Sequence, residues 1–348
     1  METPIEQDSI TRTIPQISKP SKIGGNKFDV LKFILSLMIF FLHSGRFSHH
    51  YIPLFRVAVP LFFITTSYFL FSKIRQASNE KERDQALKKF LKRNFYLLVF
   101  WTIVFIVPNA MHRQWLSQPF PYSLLSFLKS FIFGSTFMAS WFLSASIIAT
   151  SILYWAIYKV RLSQWIIVGI SLLLNLFCCR TSLYLFVIPP GNMLSSFLDT
   201  FPHFIGIPYQ CFPVAFIWII IGKIIANEEF NFSKLQLIFM SIVGLLLVFL
   251  EYFLVSSFFK IDNNDCLVSL LLFCPSFFLL LVKIGDLDIQ CARTLRKLSI
   301  IIFCTHGTFL WLYRDSEYKF SMTLISSILL GLIIIHLSKR FEILRYSH

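Results

Sequence analysis

Long apolar runs, separated by short connections that hold most of the charged residues, constrain this chain more than any other feature of its 348 residues. Most runs approach the ~20 residues that a helix needs to cross a bilayer, and tilt or burial in a bundle accommodates the shorter ones. Backbone N–H and C=O groups in lipid must be satisfied within the segment, so the runs predict helices. Ten runs lie at about 29–45, 53–72, 93–108, 140–158, 164–178, 209–226, 235–257, 266–283, 298–313 and 320–338.

The composition excludes an ordinary soluble domain. Hydrophobic residues make up 56% of the chain and charged residues 14%, which is too little charge for the shell of a water-soluble globule. We therefore predict an all-α, polytopic transmembrane bundle of about ten helices over residues 29–340. A disordered cytoplasmic tail is expected at 1–28, where proline, glycine and polar residues show no apolar periodicity, and a short cytoplasmic tail at 341–348.

The distribution of lysine and arginine predicts the orientation. With ten helices, connections on one side hold 23 of these residues, eight of them between 73 and 93, and connections on the other side hold eight. The positive-inside rule places the richer side, with both termini, in the cytoplasm of a cell whose inner (plasma) membrane holds the protein. The net charge of +14 then reflects topology and attraction to anionic membrane lipid, and we expect no nucleic-acid partner.

The seven cysteines show no spacing typical of metal ligands. They are scattered, most of them in or beside apolar runs, and no Cys-x-x-Cys pair occurs. We interpret them as small apolar side chains and expect no metal cofactor.

Polar residues of the first run fall on one helical stripe. Asp29, Ser36 and His43 are spaced by seven, and Lys32 precedes His43 by eleven residues, a step that returns to within about 20° on a helix. Lys32 and His43 are then roughly 16 Å apart along the axis, with Lys32 toward the cytoplasm. Taken singly, Asp29 and Lys32 fit snorkelling end residues and His43 fits the outer end of the helix. Together they predict a polar cavity, because intramembrane charge is costly.

Several motifs, in order, resemble the acyltransferase 3 family of membrane acyltransferases over residues 28–338. Asp29-x-x-Lys32-x10-His43 is similar to the family's first-helix motif, in which arginine usually stands where this chain has Lys32. Lysine keeps the charge but not the bidentate geometry of arginine. The further matching segments are Val59-Pro60-Leu61-Phe62-Phe63-Ile64 with Ser67-Tyr68-Phe69-Leu70, the basic stretch Lys88-Lys89-Phe90-Leu91-Lys92-Arg93, Trp141-Phe142-Leu143, Gly222, and Leu298-Ser299 with His306.

The resemblance implies transfer of an acyl group, most often acetyl, from cytoplasmic acyl-CoA to a hydroxyl of a cell-surface polysaccharide or its lipid-linked precursor. It implies catalytic roles for Asp29, Lys32 and His43, with His43 as general base. Lys88, Lys89, Lys92 and Arg93 would hold the CoA phosphates, and Ser36 would line the passage for the pantetheine arm. A charge run of this kind is also typical of an ordinary cytoplasmic loop.

Three more residues are candidates for contact with the acceptor: Glu251, Trp141 and His306. Each also has a structural interpretation. Glu251 fits an acid near the membrane interface, Trp141 fits the interfacial aromatic belt, and His306 fits a buried hydrogen-bonded histidine.

Two other functions stay open. A polysaccharide or glycolipid exporter without acyl transfer is the main alternative, although no internal repeat or pair of broken helices favours it. A lipid or glycolipid binder without turnover is the other, and either an acyltransferase or an exporter would work beside a glycan synthesis and export machinery.

Overall fold

The computed structural model describes residues 25–47, 49–112, 117, 119–134, 136–179, 181–188, 191–204, 206–259 and 266–348. These residues form helices and connections, with no strand in the described ranges, which confirms the all-α prediction. The helices are α1 (Asn26–Ser44), α2 (Ile52–Gln76), α3 (Glu80–Val104), α4 (Ile106–His112), α5 (Tyr122–Phe133), α6 (Ser140–Lys159), α7 (Gln164–Cys178), α8 (Ser182–Val187), α9 (Met193–Phe204), α10 (Phe212–Asn227), α11 (Lys234–Phe259), α12 (Leu270–Lys283), α13 (Ala292–Leu312) and α14 (Lys319–Leu337).

Each of the ten apolar runs coincides with helical structure. Within the described ranges, five helices are long and apolar enough to cross a membrane, namely α2, α6, α11, α13 and α14. A sixth span results if α3 and α4 are taken together. Helices α7, α10 and α12 are apolar but shorter, and α1 carries three charged residues in its first two turns. Length and composition therefore identify five to six spans.

The third apolar run is broken where a single helix was expected. Helices α3 and α4 meet at an angle of 72° around Phe105. Pro108 is the third residue of α4, and proline has no N–H to continue the hydrogen-bond ladder from the preceding turn. Proline is tolerated in the first turn of a helix, so the chain begins a new helix just before it.

Helices α1, α2, α10 and α13 form the centre of the bundle. Gly222 of α10 lies so close to α2 that a Cβ atom there would be 2.6 Å from the carbonyl oxygen of Ile64, so only glycine fits without a shift. The Ser67 hydroxyl donates to the carbonyl of Ile219 at 2.5 Å across the same contact. The Ser299 hydroxyl of α13 donates to the carbonyl of Lys32 at 2.8 Å, which fixes α13 against the charged end of α1.

The two predicted tails differ in what the structure describes. Residues 1–24 lie outside the described residues, and helix α1 begins at Asn26, before the predicted boundary at 28. Its start is held by the Lys27 backbone N–H, which donates to Asp286 at 3.2 Å and keeps the pKa of that carboxyl below its usual value. Glu342–Ser347 forms a 3₁₀ helix whose Ser347 carbonyl accepts from the buried indole N–H of Trp101 at 3.2 Å. The segment predicted as a short tail therefore packs against α3.

Candidate active site

A cavity of about 260 Å³ opens between α1, α2, α3, α6 and α13 beside Lys32; we call it the basic cavity. Its lining on α2 extends from Lys73 to Phe62, eleven residues or roughly 16 Å along the helix. Helix α3 contributes residues spaced three and four apart, which is one face of a helix. These are Ala86, Lys89, Phe90, Arg93, Asn94 and Leu97.

The basic cavity carries strong positive charge at one end. Lys32, Lys73, Lys89 and Arg93 line it. Arg296 is close by and makes a 3.7 Å ion pair with Asp29, an acid that also faces Lys32 and Arg93. One carboxylate among these cations leaves a net positive field, and such a field attracts an anionic ligand.

His348, the residue after the 3₁₀ segment, lies in the same positive electrostatic field. Burial, followed by the charges of Lys297, Arg93 and Arg296, lowers the pKa of His348 to about 4, so its imidazole is neutral at pH 7. Arginine and lysine at a partly enclosed site are the residues that proteins use for phosphate groups. The charged end of the basic cavity is therefore chemically suited to phosphate.

A second, smaller cavity of about 70 Å³ lies at the other end of α1 and contains His43; we call it the histidine cavity. His43 is well exposed to it. The remaining polar and aromatic lining combines hydrogen-bonding groups with flat rings. It comprises Phe55, Arg56, Trp141, Asn175, Tyr209, Gln210 and Trp218.

His306 stacks on His43, with ring centroids 5.5 Å apart and planes inclined by 22°. It is buried, at 1% exposure, and its Nδ1 lies 2.8 Å from the carbonyl oxygen of Phe303. A carbonyl only accepts, so Nδ1 carries the proton and Nε2 is the unprotonated nitrogen. That nitrogen has no hydrogen-bond partner among the described residues. The structure thus brings two predicted site residues, 263 positions apart in sequence, into one imidazole pair.

Not every residue predicted for the site lines a cavity. Ser36 is fully buried, its hydroxyl donates to the carbonyl of Phe33 at 2.7 Å, and it lines neither the basic nor the histidine cavity. Lys88 and Lys92 are exposed and also lie outside both linings. The reason is helical geometry, since they lie between the positions 86, 89, 90, 93 and 94 that face the cavity.

Glu251 holds the backbone near the histidine cavity. It accepts from the N–H groups of Val268 and Ser269, each at 2.7 Å, and contacts the hydroxyls of Ser182 and Ser269. Cys266, Leu267 and Leu270 on either side of these N–H groups line the histidine cavity. Four donors occupy the carboxylate, so in this structure Glu251 shapes the wall of the histidine cavity and does not project into it.

Sequence reasoning missed Lys73 and Arg296 at the basic cavity and Arg56 at the histidine cavity. Lys73 and Arg296 were counted as connection charges that report orientation. No spacing in the sequence marks Lys73 or Arg296, because each reaches the basic cavity through the packing of its helix against the others.

Comparison with known proteins identifies the family. The family model described as an acyltransferase domain, that of acyltransferase 3, matches residues 26–338. An amino-acid racemase of Enterococcus faecalis is 28% identical over 137 residues, which are 37% of this chain and 19% of the racemase. The chain thus spans about a fifth of the length of that relative. No solved structure matches the chain. Because the family model covers nearly all of its residues, the chain belongs to the acyltransferase 3 family.

Proposed function

We propose that this protein is a membrane O-acyltransferase that moves an acyl group, acetyl in the first instance, from cytoplasmic acyl-CoA to a hydroxyl of a cell-surface polysaccharide or its lipid-linked precursor. One observation carries the proposal, namely two cavities at the two ends of α1 with opposite chemistry. The basic cavity has the charge for an anionic donor, and the histidine cavity has a base beside groups suited to a sugar.

The donor fits the basic cavity in a particular orientation. At about 260 Å³ the cavity falls just below the ~300–1,000 Å³ typical of ligand pockets, so it is too small to enclose all of CoA. Lys73, Lys89, Arg93 and Arg296 would hold the phosphates at the charged end. The narrow pantetheine arm would then run along the apolar lining of α2 and α3 and carry the thioester toward His43.

The chemistry needs a base and a polarised hydroxyl. His43 would accept the proton of the acceptor hydroxyl while the oxygen of that hydroxyl attacks the thioester carbonyl. The C–S bond of the tetrahedral intermediate then breaks and the ester forms, and the departing CoA thiolate takes the proton that His43 had accepted from the hydroxyl. His306, stacked on His43, would fix the orientation of that ring. Removal of a positioned base of this kind typically costs about 10²–10⁴-fold in rate.

We also propose ten spans with both termini in the cytoplasm of a plasma-membrane protein. The 23-to-8 distribution of lysine and arginine supports this orientation, and it places the basic cavity on the side where acyl-CoA is made. Reporter fusions after Lys81 and after His348 should both report a cytoplasmic position. Either fusion on the outside would overturn the ten-helix arrangement.

The decisive experiment compares surface glycans of cells with and without the gene by mass spectrometry, with glycan amount and acyl content measured together. Loss of acyl groups at constant glycan amount is expected. Loss of surface glycan with normal acylation of what remains would support an exporter.

A further inference from the structure

Three phenylalanine rings narrow the end of the basic cavity that faces His43. Phe62 of α2, Phe142 of α6 and Phe303 of α13 all line that cavity, and each is at most 9% exposed. Their ring centroids form a closed triangle of 5.9, 5.6 and 5.4 Å, so each ring contacts both others. We call these three residues the ring wall.

The ring wall lies where the lining passes from one cavity to the other. On α2, Phe62 lines the basic cavity and Pro60 the histidine cavity. On α6 the change falls between Phe142 and Trp141. On α13 the ring of Phe303 lies 6.2 Å from that of His306, which in turn stacks on His43. The wall is thus built from three helices at one depth.

We propose that the ring wall sets the length of the acyl group this protein accepts and restricts it to short chains. The inference rests on the proposed function, because it requires acyl-CoA in the basic cavity. With the phosphates at the cationic end, the thioester end of the pantetheine arm reaches the narrow end of the cavity, and the acyl carbons meet Phe62, Phe142 and Phe303.

The sign of the chain-length effect distinguishes a wall from an open pocket. A methylene that finds apolar room strengthens binding about fourfold, so four extra methylenes would strengthen it about 200-fold. A methylene forced into well-packed rings instead displaces them, and overpacking of this kind weakens an interaction about 5- to 150-fold. A wall therefore predicts that affinity falls as the acyl chain grows.

The test measures binding of free CoA, acetyl-CoA, butyryl-CoA and hexanoyl-CoA to the purified full-length protein in lipid nanodiscs by titration calorimetry. Hexanoyl-CoA should bind about 5- to 150-fold more weakly than acetyl-CoA. Equal or tighter binding of hexanoyl-CoA would overturn the proposal. This series needs no variant, so it stands even where a substitution prevents folding.

Variants then locate the restriction. Phe62→Leu, Phe142→Leu and Phe303→Leu remove ring volume while keeping an apolar side chain, and each should reduce the discrimination to within about threefold. Phe278→Leu is the matched control, because Phe278 is fully buried against the rings of Phe28 and Tyr68 and lines neither cavity. Unchanged discrimination in all three wall variants would overturn the role of the rings. Failure of the unmodified protein to bind free CoA would instead overturn the proposed donor site.

Discussion

The two cavities at the ends of α1 differ in the side chains that line them. The basic cavity has flexible cationic side chains at its charged end, including Lys73, Lys89 and Arg93, and it narrows to phenylalanine rings. The histidine cavity is smaller, and its charge is confined to Arg56 among indole, phenol and amide groups. Charge attracts an anion without demanding exact geometry, whereas rings and amides select by shape. Under the proposed function, the basic cavity would recruit the anionic donor and the histidine cavity would select the acceptor.

The largest expected effect separates chemistry from binding. His43→Ala should lower acyl transfer about 10²–10⁴-fold, because it removes the base, while binding of acyl-CoA in the basic cavity stays within about twofold. Acyl content and amount of surface glycan, measured together in the variant strain, give the readout. His336→Ala on α14 is the control, since that histidine lines neither cavity. Wild-type acyl content in the His43→Ala strain would remove His43 from the mechanism.

The second effect tests which lysines bind the donor. Lys89→Gln and Arg93→Gln should each weaken binding of acetyl-CoA about tenfold or more and make the remaining affinity less sensitive to salt, because each removes a charged contact to phosphate. Lys92→Gln on the same helix is the matched control, since Lys92 is not part of the lining of the basic cavity and its Nζ lies 5.5 Å from the centre of the Tyr96 ring. Equal losses in Lys92→Gln and Lys89→Gln would mean that the whole stretch acts only through its general charge.

The third expected effect is a loss of stability caused by a substitution in the wall of the histidine cavity, without a change at the basic cavity. Glu251→Gln replaces one carboxylate oxygen, which accepts from a backbone N–H, with an amide NH₂ that donates, so one part-buried N–H loses its partner. We expect the free energy of unfolding to fall by about 1–3 kcal/mol while acetyl-CoA binding to the remaining folded protein is unchanged. Thermal unfolding in detergent measures it, and Glu229→Gln at an exposed position should leave stability within about 0.5 kcal/mol. A loss of CoA affinity in Glu251→Gln would show that the cavities are coupled.

The sequence alone predicts the helices, but it does not predict which residues of different helices come into contact. All ten apolar runs are helical, because a long apolar run in lipid has few other solutions. Helical spacing puts Lys32, Asp29 and His43 on one stripe of α1; Lys32 and His43 each line a cavity, whereas Asp29 lines neither and pairs with Arg296. What spacing cannot supply is the partner across the bundle. Arg296 reaches Asp29, and His306 reaches His43, only through the packing of α13 against α1.

Ser36 shows that helical periodicity can also place a residue at a site wrongly. It shares the stripe of Asp29 and His43, yet it is fully buried because α1 packs closely at that level and the two cavities open above and below it. A short hydroxyl can satisfy itself on its own helix, as Ser36 does with the Phe33 carbonyl, so a polar stripe does not by itself define a continuous passage. The bend between α3 and α4 could not be predicted from hydropathy, because the apolar run continues through Pro108.

The smallest expected effect concerns Lys32, which lies at the basic cavity with its Nζ 5.0 Å from the centre of the Phe69 ring. Lys32→Arg keeps the positive charge, and a planar guanidinium stacks on an aromatic face at least as well as an ammonium does. Acetyl-CoA affinity and acyl transfer should therefore stay within about threefold of the unmodified protein. Lys32→Met, which keeps an unbranched side chain of similar length without the charge, should lose about tenfold in affinity. If Lys32→Met binds acetyl-CoA as well as Lys32→Arg does, the charge at this position serves neither recruitment nor catalysis, and the field of the basic cavity rests on Lys73, Lys89, Arg93 and Arg296 alone.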